Sequence, residues 1–278
     1  MKLTKKLIPA IVMLMFSAVM LVTSSFAWFS MNKDVTATGM SVTAQGKQIY
    51  LQIVENTDNF TAGAKQVEAT AKTPNNKGTL LPTNVKEESD GTTTYDGGEF
   101  VWVTAEGTDA ANGAVKGAYT TVATGEEANY YIKNTFKIRL DPTAGANEAD
   151  APLKASGVTF SNQASIAKTE HLARSVSVLV VCTYEENSAD VVKTQLFTQA
   201  DVADTSVEEA ALPDVGVFTK TAGDDALTND AKFKNPEAGY VTVDIYVFFN
   251  GDSKHCTLEE LGKATLNNYS VTVDFTVA

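Results

Sequence analysis

Residue types that commonly carry catalysis or bind metals are scarce in this sequence. There are two histidines, His171 and His255, and two cysteines, Cys182 and Cys256, among 278 residues. Two histidines are too few for a His-rich metal site, and they do not form the HExxH pattern of zinc proteases. His255 and Cys256 are adjacent, and adjacent side chains on a strand or turn normally point apart, which is a poor arrangement for a nucleophile and its base. We therefore predict no catalytic residue and no metal ligand among them.

Acidic residues are abundant and give the chain a net charge of −12, from 34 Asp and Glu against 22 Lys and Arg. This charge argues against nucleic acid and anionic surfaces as partners, because like charges repel. Acidic pairs such as Asp224-Asp225 could bind calcium only loosely, since no segment has the alternating oxygen-ligand spacing of a calcium loop. The sequence also lacks a GxSxG nucleophile motif and a Gly-rich phosphate loop after a strand. We expect no enzymatic activity, no cofactor and no nucleic-acid partner.

The first 27 residues have the three parts of a secretory signal peptide. Lysines near the start precede an apolar stretch over 7–22, and small residues flank a larger one at 25–27. Cleavage by a signal peptidase after Ala27 would release a mature chain that begins at Trp28 and is located outside the cell or on its surface. The alternative is an uncleaved membrane anchor, because 7–29 is just long enough to cross a bilayer. The clustering of small residues where the peptidase requires them favours cleavage.

Alternation of apolar and polar residues dominates the mature chain and predicts β-strands. A stretch at 175–184 is apolar on both faces, which indicates a central strand that is covered on both sides. The Asn250-Gly251 pair predicts a turn after the strand at 240–249. A short helix is predicted from Thr257, where Thr and a later Glu form a capping box. The predicted strands cover 36–44, 48–54, 130–140, 155–160, 175–184, 193–197, 240–249 and 269–277.

This pattern predicts an all-β fold, a jelly-roll-like antiparallel β-sandwich that forms a single domain over 28–278. The stretch 55–129 is a long, loop-rich insertion, and connections of this length are usually functional or decorative. We expect it to form a subdomain or loop at one end of the sandwich. Trp102, which stands between two valines, is expected to plug this insertion; the alternative is a Trp102 that is exposed for contact.

In an exported chain, two cysteines permit one disulfide. Here it would link Cys182 in a predicted core strand to Cys256 in the turn before the predicted helix. The alternative is a pair of buried free thiols, which pack as small apolar residues. The sequence leaves both arrangements open.

Two stretches of the chain resemble a known group of exported proteins. The segment "SSFAWFSMNKDVTATGMSVTA" is similar to the N-terminal region of Gram-positive proteins with a SipW-type signal peptide, in which an aromatic residue follows the cut site and a short strand runs into a Gly-containing turn. That group includes the TasA and camelysin family of biofilm-matrix proteins. The segment "VTVDIYVFFNGDSKHCTLEEL" resembles the C-terminal half of uncharacterised relatives. The metalloprotease label given to camelysin-type proteins does not transfer, because this chain lacks a zinc motif.

The resemblance implies a jelly-roll core and self-association into oligomers or extracellular fibres. In such fibres the freed N-terminal strand leaves its own subunit and pairs in the groove of the next subunit. The alternative is that this segment folds back as the first strand of its own sheet. The candidate residues of the donor strand are Trp28, Phe29, Met31, Val35 and Met40.

Three functions are compatible with these observations. The first is a secreted structural subunit of surface or matrix fibres, with other matrix or cell-wall components as further partners. The second is a monomeric surface adhesin or carbohydrate-binding module, which would need exposed aromatic side chains such as Trp102, Tyr95 or Tyr119 arranged as a platform. The third, a secreted enzyme, has the least support.

Overall fold

The computed structural model describes fifteen parts of the chain, all of them within the compact unit Thr36–Ala278. The signal-peptide region 1–27, the five donor-strand candidates and the predicted helix from Thr257 lie outside the described residues. The described residues are 41–44, 51–61, 66–71, 80–88, 95–105, 119–140, 152–160, 163, 166, 171–186, 188–199, 214–228, 239–253, 255–256 and 271–277.

The described part of the chain contains thirteen β-strands, one short α-helix and one 3₁₀ turn. The helix α1 spans His171–Arg174 and the 3₁₀ turn spans Glu127–Asn129. The strands are β1 (Ser41–Ala44), β2 (Leu51–Glu55), β3 (Glu68–Thr70), β4 (Thr83–Glu87), β5 (Phe100–Ala105), β6 (Tyr119–Thr121), β7 (Tyr131–Leu140), β8 (Leu153–Phe160), β9 (Val176–Glu186), β10 (Ala189–Gln199), β11 (Phe218–Gly223), β12 (Val241–Phe249) and β13 (Val271–Val277).

The largest sheet has six strands in the order β11-β10-β9-β12-β7-β2, and all neighbours in it are antiparallel. β9 lies in its interior between β10 and β12, and its first seven residues are all buried. This confirms the central strand that the two-sided apolar pattern predicts. β9 and β10 form a hairpin in which only residues 187 and 188 separate the paired Glu186 and Ala189, and Ser188 takes the positive φ that such a tight turn requires.

A second sheet has four strands in the order β3-β1-β13-β8. Its neighbours are antiparallel except for β1 and β13, which run parallel. The inward residues of β13, among them the fully buried Phe275, pack against the six-stranded sheet and enclose the main core between the two sheets. The other large side chains of this core include Phe136, Phe249, Ile138, Leu153 and Leu172.

The strands that the structure describes after β2 in the insertion 55–129 belong to two different sheets. β4, β5 and β6 form a three-stranded antiparallel sheet whose apolar residues pack on the outer face of the six-stranded sheet. β3, from the same insertion, instead joins the four-stranded sheet beside β1. The insertion is therefore not one subdomain at the end of a sandwich, and the six-stranded sheet is covered on both faces.

The prediction of an all-β sandwich is confirmed, while the jelly-roll detail stays a prediction. The turn after β12 is present, but it does not close a hairpin, because β13 belongs to the other sheet. β10 is longer than the predicted strand at 193–197. Its first four residues are mostly exposed, so they lack the buried alternate face by which the sequence pattern identifies a strand.

Candidate functional site

The strand nearest the predicted donor segment is β1, and it occupies an interior position in the four-stranded sheet. On one side it pairs with β13 in parallel, and on the other it pairs with β3 antiparallel. The Cα partners in β13 are Ser41 and Thr272, Val42 and Val273, Thr43 and Asp274, and Ala44 and Phe275. β1 therefore begins at the end of the sheet where β13 begins. The five candidate donor residues themselves lie outside the described part of the chain.

β13 forms backbone pairings of different length with its two neighbouring strands. On the side away from β1 it pairs with β8 along its whole length, with one irregularity between Asp274 and Phe275. There Ser156 Oγ donates a hydrogen bond of 3.2 Å to the carbonyl oxygen of Asp274. On the other side, the described residues that pair with it are the four of β1. If β1 left, the backbone groups of β13 that face it would lose their partners, so this position has to be filled by a strand.

The two cysteines are free and buried, so the disulfide that the sequence permits is not formed. Cys182 in β9 is fully buried, and Cys256 after the β12 turn is 3% exposed; both pack in the main core. Burial raises the pKa of the Cys182 thiol, and it raises that of Cys256 to about 12. Both side chains therefore remain protonated thiols at neutral pH and pack as small apolar groups.

Trp102 in β5 plugs the interface between the three-stranded and six-stranded sheets. Its ring centroid lies 4.4 Å from that of Tyr131, 5.4 Å from that of Tyr246 and 5.1 Å from that of Phe248. These three residues belong to β7 and β12, so one tryptophan contacts two neighbouring strands of the layer beneath it. Burial raises the pKa values of Tyr131 and Tyr246.

The aromatic platform that an adhesin would need is not formed by these residues. Trp102 is half-buried in the interface just described, and Tyr95 is buried in the same cluster with its hydroxyl bonded to Thr194 Oγ1. The side chain of Tyr119 lies outside the described residues. Trp102 thus packs against the six-stranded sheet.

Two polar junctions fasten the inserted sheet to the rest of the protein. In the first, Lys86 Nζ and Asn84 Nδ2 of β4 both donate to Asp252 Oδ2, at 2.8 and 2.6 Å, in the turn after β12. Lys86 is only 3% exposed, whereas the Asp252 side chain is 31% exposed. A buried lysine has to be paired, so this contact fixes the position of β4. The sequence gives no signal for it, because the two partners lie in distant segments that both read as loop or turn.

The second junction lies at the edge formed by β10 and β11. Asp224 accepts hydrogen bonds from Lys193 Nζ at 2.7 Å and from the backbone N–H of Thr194 at 2.9 Å. The backbone N–H of Gly223 donates to the carbonyl of Asp96, in the segment that leads to β5. Gly223 has a φ of +91°, and a Cβ there would overlap the carbonyl oxygen of Thr194. This position therefore requires glycine.

No group of three or more His, Cys, Asp and Glu residues in the described parts of the chain is arranged to hold a metal ion. None of the helices that the structure describes has the length and apolar character needed to cross a membrane. No protein-family model matches the chain, and no curated protein or solved structure was found to match it. The resemblance to the TasA and camelysin family accordingly stays a prediction that rests on the quoted residues.

Proposed function

We propose that this chain is a secreted structural protein of the cell surface or biofilm matrix that assembles into fibres by donation of its N-terminal strand. The observation that carries the proposal is the position of β1. It directly follows the predicted donor segment, and it is held inside a sheet between β13 and β3. A β1 from a second subunit could make the same backbone pairings, so exchange would replace every hydrogen bond that it breaks.

The pairing of β13 with β8 does not involve β1. The described part of β1 has four residues, whereas β13 has seven and is bonded to β8 along its length. Exchange of β1 would therefore break its ladders with β13 and β3 and leave the pairing of β13 with β8 in place. Exchange would wait for cleavage after Ala27, because a signal sequence that is still attached keeps the N-terminal segment at the membrane.

Cross-linking between single-cysteine variants tests the exchange directly. Thr43 and Asp274 are Cα partners across β1 and β13. Cysteines at these two positions are therefore close enough to form a disulfide. The secreted Thr43→Cys and Asp274→Cys variants are mixed, concentrated and oxidised. Strand exchange predicts a disulfide-linked heterodimer, because each variant has only one of the two new cysteines. The native cysteines are buried and should not compete.

The control replaces the second variant by Thr159→Cys, an exposed position on β8, which β13 separates from β1. No heterodimer should form with it. In a chain that keeps its own β1, the Thr43→Cys/Asp274→Cys double variant would instead close an internal disulfide, and the mixed single variants would stay monomeric. Deletion of residues 28–35 should abolish filaments in electron micrographs while the fold persists; filaments that persist unchanged would contradict strand donation.

A further inference from the structure

Two cations of β7 lie on the outer face of the six-stranded sheet, which points away from the main core. Lys137 and Arg139 stand on either side of Ile138, whose side chain packs in that core. Lys137 Nζ lies 5.3 Å from the ring centroid of Tyr240, and Arg139 Cζ lies 4.2 Å from that of Phe60. Neither cation forms an ion pair with a carboxylate among the residues that the structure describes. We call these two cations the cationic patch.

The cationic patch is held in place by its neighbours. Arg139 Nε donates a hydrogen bond of 2.8 Å to Gln52 Oε1 on the adjacent strand β2. The two aromatic rings that the cations contact lie close to each other, with the centroids of Phe60 and Tyr240 6.1 Å apart. Both of these aromatic residues are half-buried. Because the patch is ordered without a carboxylate, an anionic partner would bind it with little loss of side-chain entropy.

A second charged surface lies at the tip of the hairpin that β9 and β10 form. Glu185 and Asp190 are Cα partners there, and both are exposed. Neither forms an ion pair with a residue in the described part of the chain, and like charges directly opposite each other on paired strands repel. The described pairing of β9 with β12 stops at Thr183, and that of β10 with β11 begins at Gln195. The hairpin end that carries the two carboxylates, which we call the acidic tip, therefore extends past both neighbouring strands.

The strand register places the cationic patch and the acidic tip on the same face and at the same end of the sheet. One row of residues crosses four adjacent strands on the outer face: Lys137 of β7, Thr242 of β12, Thr183 of β9 and Val192 of β10. Arg139 and Glu185 each lie two positions beyond this row. At about 4.8 Å between neighbouring strands, the patch and the tip are separated by about 10 Å. This is about the Debye length at 0.1 M salt, so they do not neutralise each other within one molecule.

We propose that the acidic tip of one molecule docks on the cationic patch of a second copy of the chain. The charges that each surface leaves without an opposite partner then neutralise each other, and the repulsion between Glu185 and Asp190 is relieved. Val192, which is 51% exposed, lies beside the tip, and the rings of Phe60 and Tyr240 lie beside the patch. These side chains add apolar contact area to the charged contact.

A second copy suits the cationic patch better than a foreign polyanion does. A long polyanion bound at the patch would also meet the acidic tip on the same face, and the net charge of −12 would repel it. The tip of a second copy presents its carboxylates on a two-stranded hairpin, which can approach the patch alone.

The proposed contact is heterologous, because the tip and the patch are different surfaces. Each docked pair keeps one tip and one patch open, so the contact can repeat along a row of molecules. It goes beyond the proposed strand exchange and does not involve β1, which belongs to the other sheet.

Sedimentation velocity on the secreted protein tests this contact by reciprocal charge reversal. One variant reverses the patch with Lys137→Glu and Arg139→Glu, and the other reverses the tip with Glu185→Lys and Asp190→Lys. The wild-type protein should associate in about 0.05 M salt and dissociate in about 0.5 M salt, because added ions screen the attraction. Each variant alone should associate at least about tenfold more weakly. An equimolar mixture of the two should recover association, since the reversed tip matches the reversed patch.

The matched control is the Lys154→Glu/Lys220→Glu variant. It changes the net charge by the same amount as the patch reversal, at positions on β8 and β11, and should keep most of the wild-type association. Thermal unfolding checks that every variant is folded, and the milder Lys137→Gln/Arg139→Gln variant should also associate more weakly. Patch reversal should leave the cross-link between the single-cysteine variants unchanged, so failure of this contact and failure of strand exchange are distinguishable.

Three sedimentation results would overturn the proposal. They are a wild-type protein that stays monomeric in low salt, equal association of the patch-reversed variant and the matched control, and a mixture of the two reversed variants that associates no better than either alone. Retention of the wild-type protein on inorganic polyphosphate without self-association would also overturn it, and would assign the cationic patch to a polyanionic partner.

Discussion

Trp102 of β5 and Tyr131 of β7 stack with their ring centroids 4.4 Å apart and their planes inclined by 33°. The first residue comes from the insertion and the second from the main sandwich. Tyr246 on the neighbouring strand meets Tyr131 edge to face, with their ring centroids 5.2 Å apart. The indole therefore sits over an aromatic surface that two adjacent strands form together, and it holds one layer of the protein on another.

Replacement of Trp102 by alanine should weaken this attachment. We expect the free energy of unfolding to fall by about 3 kcal/mol, because a large aromatic side chain is removed from an interface that cannot fully close. Urea unfolding would measure the loss, followed by far-ultraviolet circular dichroism because the variant lacks the tryptophan whose fluorescence would otherwise be used. The matched control is Thr120→Ala on β6, an exposed position in the same sheet that should change little. Equal stability of the two variants would show that Trp102 does not fasten the inserted sheet.

The ion pair between the buried Lys86 and Asp252 should contribute more to the free energy of unfolding than an exposed ion pair with a similar N–O distance. Asp252→Asn is expected to lower the free energy of unfolding by about 2–3 kcal/mol, because it removes the carboxylate charge that faces the almost fully buried Lys86 ammonium at 2.8 Å. The comparison is Asp225→Asn, which removes the fully exposed partner of Lys220 at 3.0 Å and should have little effect. An Asp252→Asn protein as stable as Asp225→Asn would contradict the structural role of the junction.

Glycine is expected to be indispensable at position 223 and merely preferred at position 125. The two residues have nearly the same φ, +91° and +94°. A Cβ at Gly223 would collide with the Thr194 carbonyl, while one at Gly125 meets no atom within 4 Å. Gly125→Ala should therefore cost about 1 kcal/mol, which is the conformational cost alone. Gly223→Ala should cost several times more, and similar unfolding midpoints for the two variants would refute the steric argument.

The free energy of unfolding should fall in alkaline solution. The buried tyrosine hydroxyls stay protonated in the folded chain, whereas they ionise in the unfolded chain. Burial raises the pKa values of Tyr95, Tyr131 and Tyr246 in the folded chain. The unfolded chain releases the same protons near pH 10, so it binds fewer protons than the folded chain above about that pH. The stabilisation that these protonated tyrosines contribute is complete below about pH 10. It is lost as the pH rises toward the pKa values that the tyrosines have in the folded chain.

Urea unfolding at about pH 8, 10 and 11 would measure this dependence. The buried thiols of Cys182 and Cys256, whose pKa values burial also raises, add to this dependence. Tyr246→Phe, which removes one of the contributing tyrosines, should reduce its slope. Tyrosinate absorbance gives a second readout, since the buried rings should ionise later than the exposed ones. A free energy of unfolding that stays constant across this pH range would contradict the burial of these hydroxyls.

The parts of the fold that the sequence predicted are those in which neighbouring residues carry the information. The alternation in β12 and β13 and the apolar run of β9 identify these strands because burial on one or both faces leaves a local pattern. The same pattern places Lys133 of β7 on the outward face. In the structure that face is partly covered by the inserted sheet, and Lys133 bonds to Asp244 at 2.8 Å. Nothing local in β7 indicates a second covering layer.

The sequence analysis did not predict those features of the candidate sites that depend on contacts between distant segments of the chain. The three-stranded sheet is built from short strands rich in threonine, and its contact with β12 runs through Lys86 and Asp252, which are far apart in sequence. The parallel partnership of β1 and β13 could not be predicted either, because pairing direction leaves no trace in alternation.

That partnership also sets the order in which the protein can fold. β1 is the first strand that the structure describes, and β13, which lies beside it, is the last. The ladder between them thus cannot form until residues 271–277 are available, and it joins residues with a very large sequence separation, which is a slow step. Until then only β3 can hold β1 in its own sheet, and under the proposed strand exchange a neighbouring molecule whose β13 is still unpaired on that side would compete for it.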